Sequence, residues 1–221
     1  MSKNIESDAS VFDSMAPGWY NFRHRTIFQQ ELEEMAKRWQ QGRLLNLGCG
    51  HGADFLPFKD RFDLVGVDFS AVMLEMARKF ARKHYLKVQL HLADLRKLPF
   101  SDASFDAAIA VASYHHLSGR EEQLAALVEL KRILKPGAEA FITVWNRTQP
   151  RFWLRGKEAM VPWRSGDETV YRYYHLFTYG EIETLVRQAG FTLLSSRPEG
   201  RYRFPLKLFS RNICLLIKKA G

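Results

Sequence analysis

The sequence predicts an α/β fold, a doubly wound and mostly parallel sheet closed by an antiparallel strand, with helices on both faces. Three observations carry that expectation. Strand-like apolar runs alternate five times with helix-like segments between residues 43 and 145, the pattern of a parallel sheet with crossover helices. The first run ends in the closely spaced Gly48, Gly50 and Gly52, which turn a buried strand sharply into a helix. The second run ends at Asp68, about twenty residues further on, where an acid at a strand end meets a ligand.

The elements follow in order. Residues 1–10 read as disordered. From Val11 to Gln41, apolar and aromatic residues such as Phe12, Met15, Trp19, Phe28 and Leu32 recur at helical spacing. That predicts two helices broken near Pro17–Gly18, with Arg23, His24 and Arg25 placing positive charge close to the break. A strand over 43–47 leads through the glycines into a short helix ending at Pro57, and a second strand ends at Asp68. Ser70 caps a helix whose Met73, Leu74, Ala77 and Phe80 form an apolar stripe. The third strand, Val88–Leu92, alternates apolar and polar residues and ends in Ala93–Asp94. Ala107–Val111 is a continuous apolar strand of the doubly buried kind. Tyr114-His115-His116-Leu117 follows it. A helix over about Arg120–Leu134 stops at Lys135-Pro136-Gly137, and Ala140–Trp145 is a fifth strand.

The last third differs. Asn146–Phe177 shows no clear period and is dense in Trp153, Trp163, Tyr173, Tyr174, Arg155 and Arg172. Thr178 and Glu181 form a capping box opening a helix that ends at Ala189–Gly190. Two closing strands, 191–196 and 212–218, are joined by a basic connection carrying Arg197, Arg201, Arg203, Lys207 and Arg211.

Length and composition narrow the class. A chain of 221 residues fits a single domain with an ordinary core. The expected division is a helical cap over 1–41, a ligand-binding core over 43–145, an aromatic and basic insertion over 146–177, and closing elements over 178–221. Lys and Arg number 33 against 24 Asp and Glu, a formal net charge of +9. That favours a polyanionic partner, nucleic acid before an anionic membrane surface. The two cysteines, Cys49 and Cys214, give neither a disulfide framework nor a metal-ligand spacing. No apolar signal core or bilayer-length run is present, so the expectation is a cytoplasmic protein without a membrane span or metal.

The glycine turn by itself is ambiguous, because Gly48, Gly50 and Ala53 also satisfy a dinucleotide fingerprint. Asp54 tilts the reading. It sits in the first turn of the following helix, where a pyrophosphate would want the bare positive end of the dipole. A carboxylate there repels phosphate and suits a cationic ligand.

With Gly52 the turn is a Gly-x-Gly-x-Gly loop, which resembles motif I of the class I S-adenosylmethionine-dependent methyltransferases. Asp68, Asp94, Asp106 with its apolar strand, and Pro136-Gly137 follow in that family's order. The resemblance implies a Rossmann-like methyltransferase sheet and S-adenosylmethionine as cofactor. Its contacts would come from Asn46, Gly48, Gly50, Gly52, Asp68, Phe69, Met73, Asp94, Leu95 and Ala110. Asp68 would hold the ribose hydroxyls, and Asp94 with the Leu95 amide would read the adenine edge. Asn46 stands where the family usually has an acid, and its amide would meet the ammonium-bearing end.

A narrower likeness, carried by Val11-Phe12-Asp13-Ser14-Met15-Ala16-Pro17, Tyr114-His115-His116-Leu117, Val144-Trp145, Val161-Pro162-Trp163 and Arg172–Phe177, is to the tRNA wobble-uridine carboxymethyl methyltransferases. Ile213-Cys214 replaces a tryptophan pair expected there. This likeness implies tRNA as partner, a carboxylate acceptor that needs no general base, and a small zinc-binding activator on the third-strand edge near Val88, Leu90 and Leu92. Arg23, His116, Arg147 and Arg172 are then candidate cations for the acceptor, and Trp145, Trp163, Arg164 and His175 further substrate contacts. His115 and His116 are the catalytic candidates, since adjacent imidazoles at a strand end are poor core material and could act as general base for a hydroxyl or carbon acid. Two other readings stand beside this one. One is a methyltransferase on a small apolar acceptor of the quinone-precursor type. The other is a non-catalytic RNA-binding protein that keeps the fold.

Overall fold

The computed structural model describes residues 5–152, 156–165 and 168–221. Trp153 and Arg155 lie outside the described residues, as do the first four residues of the segment expected to be disordered. The helices are α1 (Ile5–Phe22), α2 (Gln29–Trp39), α3 (Ala71–His84), α4 (Arg120–Ile133) and α5 (Tyr179–Gln188). The strands are β1 (Gly42–Leu47), β2 (Phe62–Asp68), β3 (Val88–Leu92), β4 (Phe105–Val111) and β5 (Leu134–Trp145), followed by β6 (Glu158–Ser165), β7 (Glu168–His175), β8 (Phe191–Pro198) and β9 (Asn212–Lys219).

Seven strands form one sheet in the order β3-β2-β1-β4-β5-β9-β8. β1 to β5 pair in parallel, and β9 runs antiparallel to both β5 and β8. Alternation along each strand sends side chains to opposite faces. Leu45, Leu47, Val65 and Val67 share one core with Leu127, Leu130 and Ile182 from α4 and α5. Leu44, Leu64, Ile109 and Phe141 pack on the other face with Leu32, Leu74 and Phe80 from α2 and α3. The chain leaves β1 toward β2 and β3, then returns to β4 on β1's other side. That reversal opens a crevice beyond the carboxyl ends of β1 and β4.

Local signals behave as their chemistry demands. The Ser70 hydroxyl accepts from the Met73 N–H at 3.0 Å to cap α3, and Thr178 with Glu181 forms the capping box of α5. Among the described residues no helix is long and apolar enough to cross a membrane.

Three expectations are corrected. Helix α1 begins at Ile5 and runs through Pro17; the break falls after Phe22. An interior proline costs roughly 3 kcal/mol, offset here by burial of Met15 and Ala16 and by Asp13, which accepts from Ser70 and from the Val72 N–H. Second, β5 begins at Leu134, directly after α4, and takes in Lys135-Pro136-Gly137. Third, the stretch without a visible period holds an antiparallel ribbon, β6 with β7, outside the main sheet. Ala159, Val161 and Tyr174 bury there in a small core with Phe152 and Leu176.

Candidate active site

A cavity of about 320 Å³ lies at the carboxyl ends of the parallel strands. Helix α1 and the β6–β7 ribbon meet over it, with Trp19 and Phe22 packing on Trp163 at 5.2 and 5.8 Å between ring centres. The carboxylates of Asp54, Asp68 and Asp94 line the cavity with four arginines, Arg23, Arg25, Arg96 and Arg172; Arg96 bonds Asp94, whereas Arg172 packs among the aromatic rings of the roof.

The acidic end is built by β1, β2 and β3. Gly48, Gly50 and Gly52 all have positive φ, at 69°, 51° and 91°, so the turn needs residues without a Cβ. A Cβ on Gly48 would stand 2.6 Å from that of Ser113, while one on Gly50 would meet nothing within 4 Å. The bare backbone of Gly50 therefore faces open cavity. Its N–H donates to Asp68 Oδ2 at 2.8 Å, and the Ser70 N–H donates to Oδ1 at 3.0 Å. The Phe69 N–H also bonds this carboxylate, and a carboxylate's roughly four acceptor sites leave room for a ligand hydroxyl. Asp94 at the end of β3 takes three bonds from Arg96. Burial pushes its pKa up, but the Arg96 bonds and charge outweigh this and hold it below the usual carboxylate range. In β1, both amide atoms of the fully buried Asn46 lack a hydrogen-bond partner among the described residues.

These residues fit a cationic nucleoside donor. Asp68 would hold ribose hydroxyls, and Asp94 and the Leu95 N–H would take the adenine edge; the Asn46 amide lies beneath the turn and does not reach the cavity. They do not fit a pyrophosphate, because Asp54 and Asp68 face the turn where phosphates would lie. Burial raises the pKa of each to about 6, against bonds from Thr26 to Asp54 and from Ser70 and Gly50 to Asp68.

The sign of the pH dependence follows. Both folded pKa values lie above the ordinary 3.8, so this pair's contribution to apo stability is fully present below about 4 and is lost as pH rises through about 6. Binding of a cationic donor needs the ionised forms and goes the opposite way. Donor affinity measured by calorimetry is expected to be flat above about pH 7 and to fall by up to about tenfold per pH unit below 6 for each proton taken up.

Arg172 stands on β7, and Arg23 follows directly after α1. Arg172 is 7% exposed, and its guanidinium lies 5.7, 5.6 and 5.3 Å from the ring centres of Trp19, Trp163 and Tyr174. Its Nη1 donates to the Tyr174 hydroxyl at 2.8 Å, and Nε has no hydrogen-bond partner among the described residues. Among the described residues no carboxylate forms an ion pair with it. Arg23 lies over the Trp19 ring at 4.5 Å. Burial holds the pKa of both arginines below the ordinary value. A buried cation without a counter-ion is costly, and an anionic ligand removes that cost.

The two histidines separate. His116 lines the cavity, and its Nδ1 lies 2.9 Å from the Tyr173 carbonyl oxygen. Burial sets its pKa at about 4, so it is neutral near pH 7 and is no cation for the acceptor; that expectation is corrected. His115 is fully buried outside the cavity lining, stacked on Tyr174 at 4.7 Å, and receives a long bond from the Trp145 N–H at 3.4 Å. It is core after all, because one residue of a 3₁₀ turn points in while the next points to the cavity.

The structure gathers Arg23, Trp145, Trp163 and Arg172 with Gly48, Gly50, Asp68, Phe69, Met73, Asp94 and Leu95 around one cavity. Asn46, Gly52 and Ala110 lie in the turn and strands without lining it. Arg147 and Arg164 are exposed and outside the lining. His175 is taken up by Glu181, at 2.8 Å, in the capping box of α5. Trp19, Ser113 and Tyr174 line the cavity and were not among the candidates. In a strand, Tyr174 shares a face with Arg172 and His175 does not, so the β7 alternation was the signal that selects Tyr174.

The sequence pattern of a methyltransferase domain matches residues 44–137. A protein of Encephalitozoon cuniculi named only as a methyltransferase is 31% identical over 80% of this chain and 82% of its own. The protein named "Probable tRNA methyltransferase 9B" in Bos taurus is 27% identical over 69% of this chain. The tRNA (carboxymethyluridine(34)-5-O)-methyltransferase ALKBH8 of Mus musculus is 29% identical over 66%. The chain spans about a third of the length of the former and 22% of the latter. The CcbJ methyltransferase of Streptomyces caelestis superposes with a TM-score of 0.79 over 96% of this chain and 98% of its own, at 18% identity. With its cation-shaped acidic crevice and these relatives, the chain belongs to the class I S-adenosylmethionine-dependent methyltransferases.

Proposed function

We infer that the acceptor is the carboxymethyl group of a tRNA wobble uridine, converted to its methyl ester. The observation that carries this reading is the Arg172 guanidinium, buried at the cavity's far end without a carboxylate partner among the described residues. Bound S-adenosylmethionine supplies an electrophilic methyl on a sulfonium with its leaving group built in. What the chain adds is position, an effect on the order of 7–11 kcal/mol in well-oriented pairs. Arg172 and Arg23 would hold a carboxylate, which is ionised at neutral pH and needs no base. The shared hydrogen bond with Tyr174 and the stacked rings keep Arg172 fixed without a second full charge that would blunt the nucleophile.

Support for tRNA comes from the surface and the relatives. Arg25, Arg147, Arg164, Arg201, Lys207 and Arg211 are exposed, a spread of cations suited to phosphates, and Trp145 and Trp163 in the cavity suit a splayed-out base. Two matched relatives carry tRNA methyltransferase names. β3 is a sheet edge with Leu92 62% exposed, which supports a small zinc-binding activator covering that edge in a cytoplasmic complex. A quinone-precursor acceptor would use the aromatic roof but leave Arg172 facing an uncharged group. A non-catalytic RNA-binding role would leave the donor end without a purpose.

Nucleoside analysis of tRNA from a deletion strain is the test. Loss of wobble-uridine methyl esters with accumulation of the free acid is expected; unchanged esters would sink the reading. Binding of purified protein to tRNA is expected to weaken linearly in log–log salt plots, by roughly 0.7–0.9 per phosphate contacted.

A further inference from the structure

We propose that His116 selects uracil over cytosine, accepting through Nε2 the ring N–H that lies on the same base edge as the carboxymethyl group. This rests on the acceptor proposed above and names the group that reads its base. A carbonyl oxygen can only accept, so the 2.9 Å contact to the Tyr173 carbonyl places the imidazole proton on Nδ1. A neutral imidazole has one N–H, which leaves Nε2 with a bare lone pair. The ring is half-buried and lines the cavity.

The tautomer is locked as well as chosen. Phe12 packs edge-on against the ring at 4.9 Å and Tyr174 at 4.5 Å. A ring flip would sacrifice the bond to Tyr173 and turn a lone pair onto its carbonyl. Burial and the nearby Arg172 charge keep the ring neutral against the pull of that carbonyl. The site thus offers a fixed acceptor, and no proton.

Arg172 and His116 flank the same tyrosine: the guanidinium lies 5.3 Å and the imidazole 4.5 Å from the Tyr174 ring centre. A ligand that satisfies both carries an anion and an N–H or O–H donor close together. A uracil substituted at C5 does so, because its C5 group and its imide N–H leave one ring edge, separated by a single carbonyl. Cytosine at the same place offers a ring nitrogen lone pair to the Nε2 lone pair. Such repulsion, added to a lost bond, is how a site rejects a near-isostere.

The experiment uses three anticodon stem-loop RNAs, carrying 5-carboxymethyluridine, 5-carboxymethylcytidine or N3-methyl-5-carboxymethyluridine, with labelled S-adenosylmethionine. Wild-type kcat/KM is expected to be about 10- to 100-fold lower on the second and third RNAs, in line with one hydrogen bond of base discrimination. His116→Phe is expected to lower kcat/KM on the uridine RNA and bring the three RNAs within about threefold. His116→Gln, whose amide oxygen can accept the same N–H, is expected to recover part of the preference. Donor binding by calorimetry checks that each variant is folded. Equal wild-type rates on uridine and cytidine, a comparison that needs no variant, would overturn the proposal, as would full discrimination in a folded His116→Phe protein. Methyl transfer to none of the RNAs overturns the carboxymethyl reading itself, and so is told apart from failure of His116 to read the base.

Discussion

Arg172→Met is expected to lose about two to three orders of magnitude in kcat/KM on the carboxylate acceptor while melting above the wild type. The loss, about 3–4 kcal/mol, is that of breaking a desolvated charge pair by removing one partner. The gain has the same origin. In the absence of acceptor the guanidinium is buried among Trp19, Trp163 and Tyr174, and burial holds its pKa down. Methionine fills similar space without the charge. A gain of about 1 kcal/mol or more would raise the melting temperature by roughly 2–4 °C in a chain of this size. Donor affinity should be unchanged, since Asp68 and Asp94 belong to the opposite end. Steady-state kinetics, scanning calorimetry and donor titration check the three parts separately. An unstabilised variant with normal kinetics would remove Arg172 from the site.

Asp68→Ala is expected to weaken S-adenosylmethionine binding by about two to four orders of magnitude, from the loss of two hydrogen bonds to a charged group at about 1.5–3 kcal/mol each. The apo fold should change little. The variant loses the bonds from Gly50 and Ser70, but it also removes a carboxylate that burial disfavours, as its pKa near 6 records. Calorimetric titration reports the first effect and thermal melting without donor the second. An apo protein that collapses instead would make Asp68 a structural brace of the turn.

These effects show where the residue order was readable. β2 and β4 read as strands because their runs Leu64–Val67 and Ala107–Ala110 are apolar and buried on both faces, and β3 because it alternates. The turn was readable because positive φ at Gly48, Gly50 and Gly52 excludes most other residues. The β6–β7 ribbon was not, because its inner face buries a charge, Arg172, while Met160 and Tyr171 stay exposed; polarity no longer marks the faces. α1 continues through Pro17 because contacts distant in sequence, Asp13 with Ser70 among them, outweigh a local breaker. His115 and His116 are alike in type, and only the 3₁₀ turn that separates their directions sends one to the core and the other to the cavity. The missing counter-ion of Arg172 is a three-dimensional fact that no local pattern encodes.

The polarity of the cavity is tested most directly by a crystal structure of the protein grown with S-adenosylhomocysteine. The ribose hydroxyls should lie on the Asp68 carboxylate, the adenine beside Asp94 and the Leu95 amide, and the sulfur should face Arg172 and His116. A nucleoside bound in reverse, with its adenine among Trp19, Trp163 and Arg172, would contradict the assignment of donor and acceptor ends.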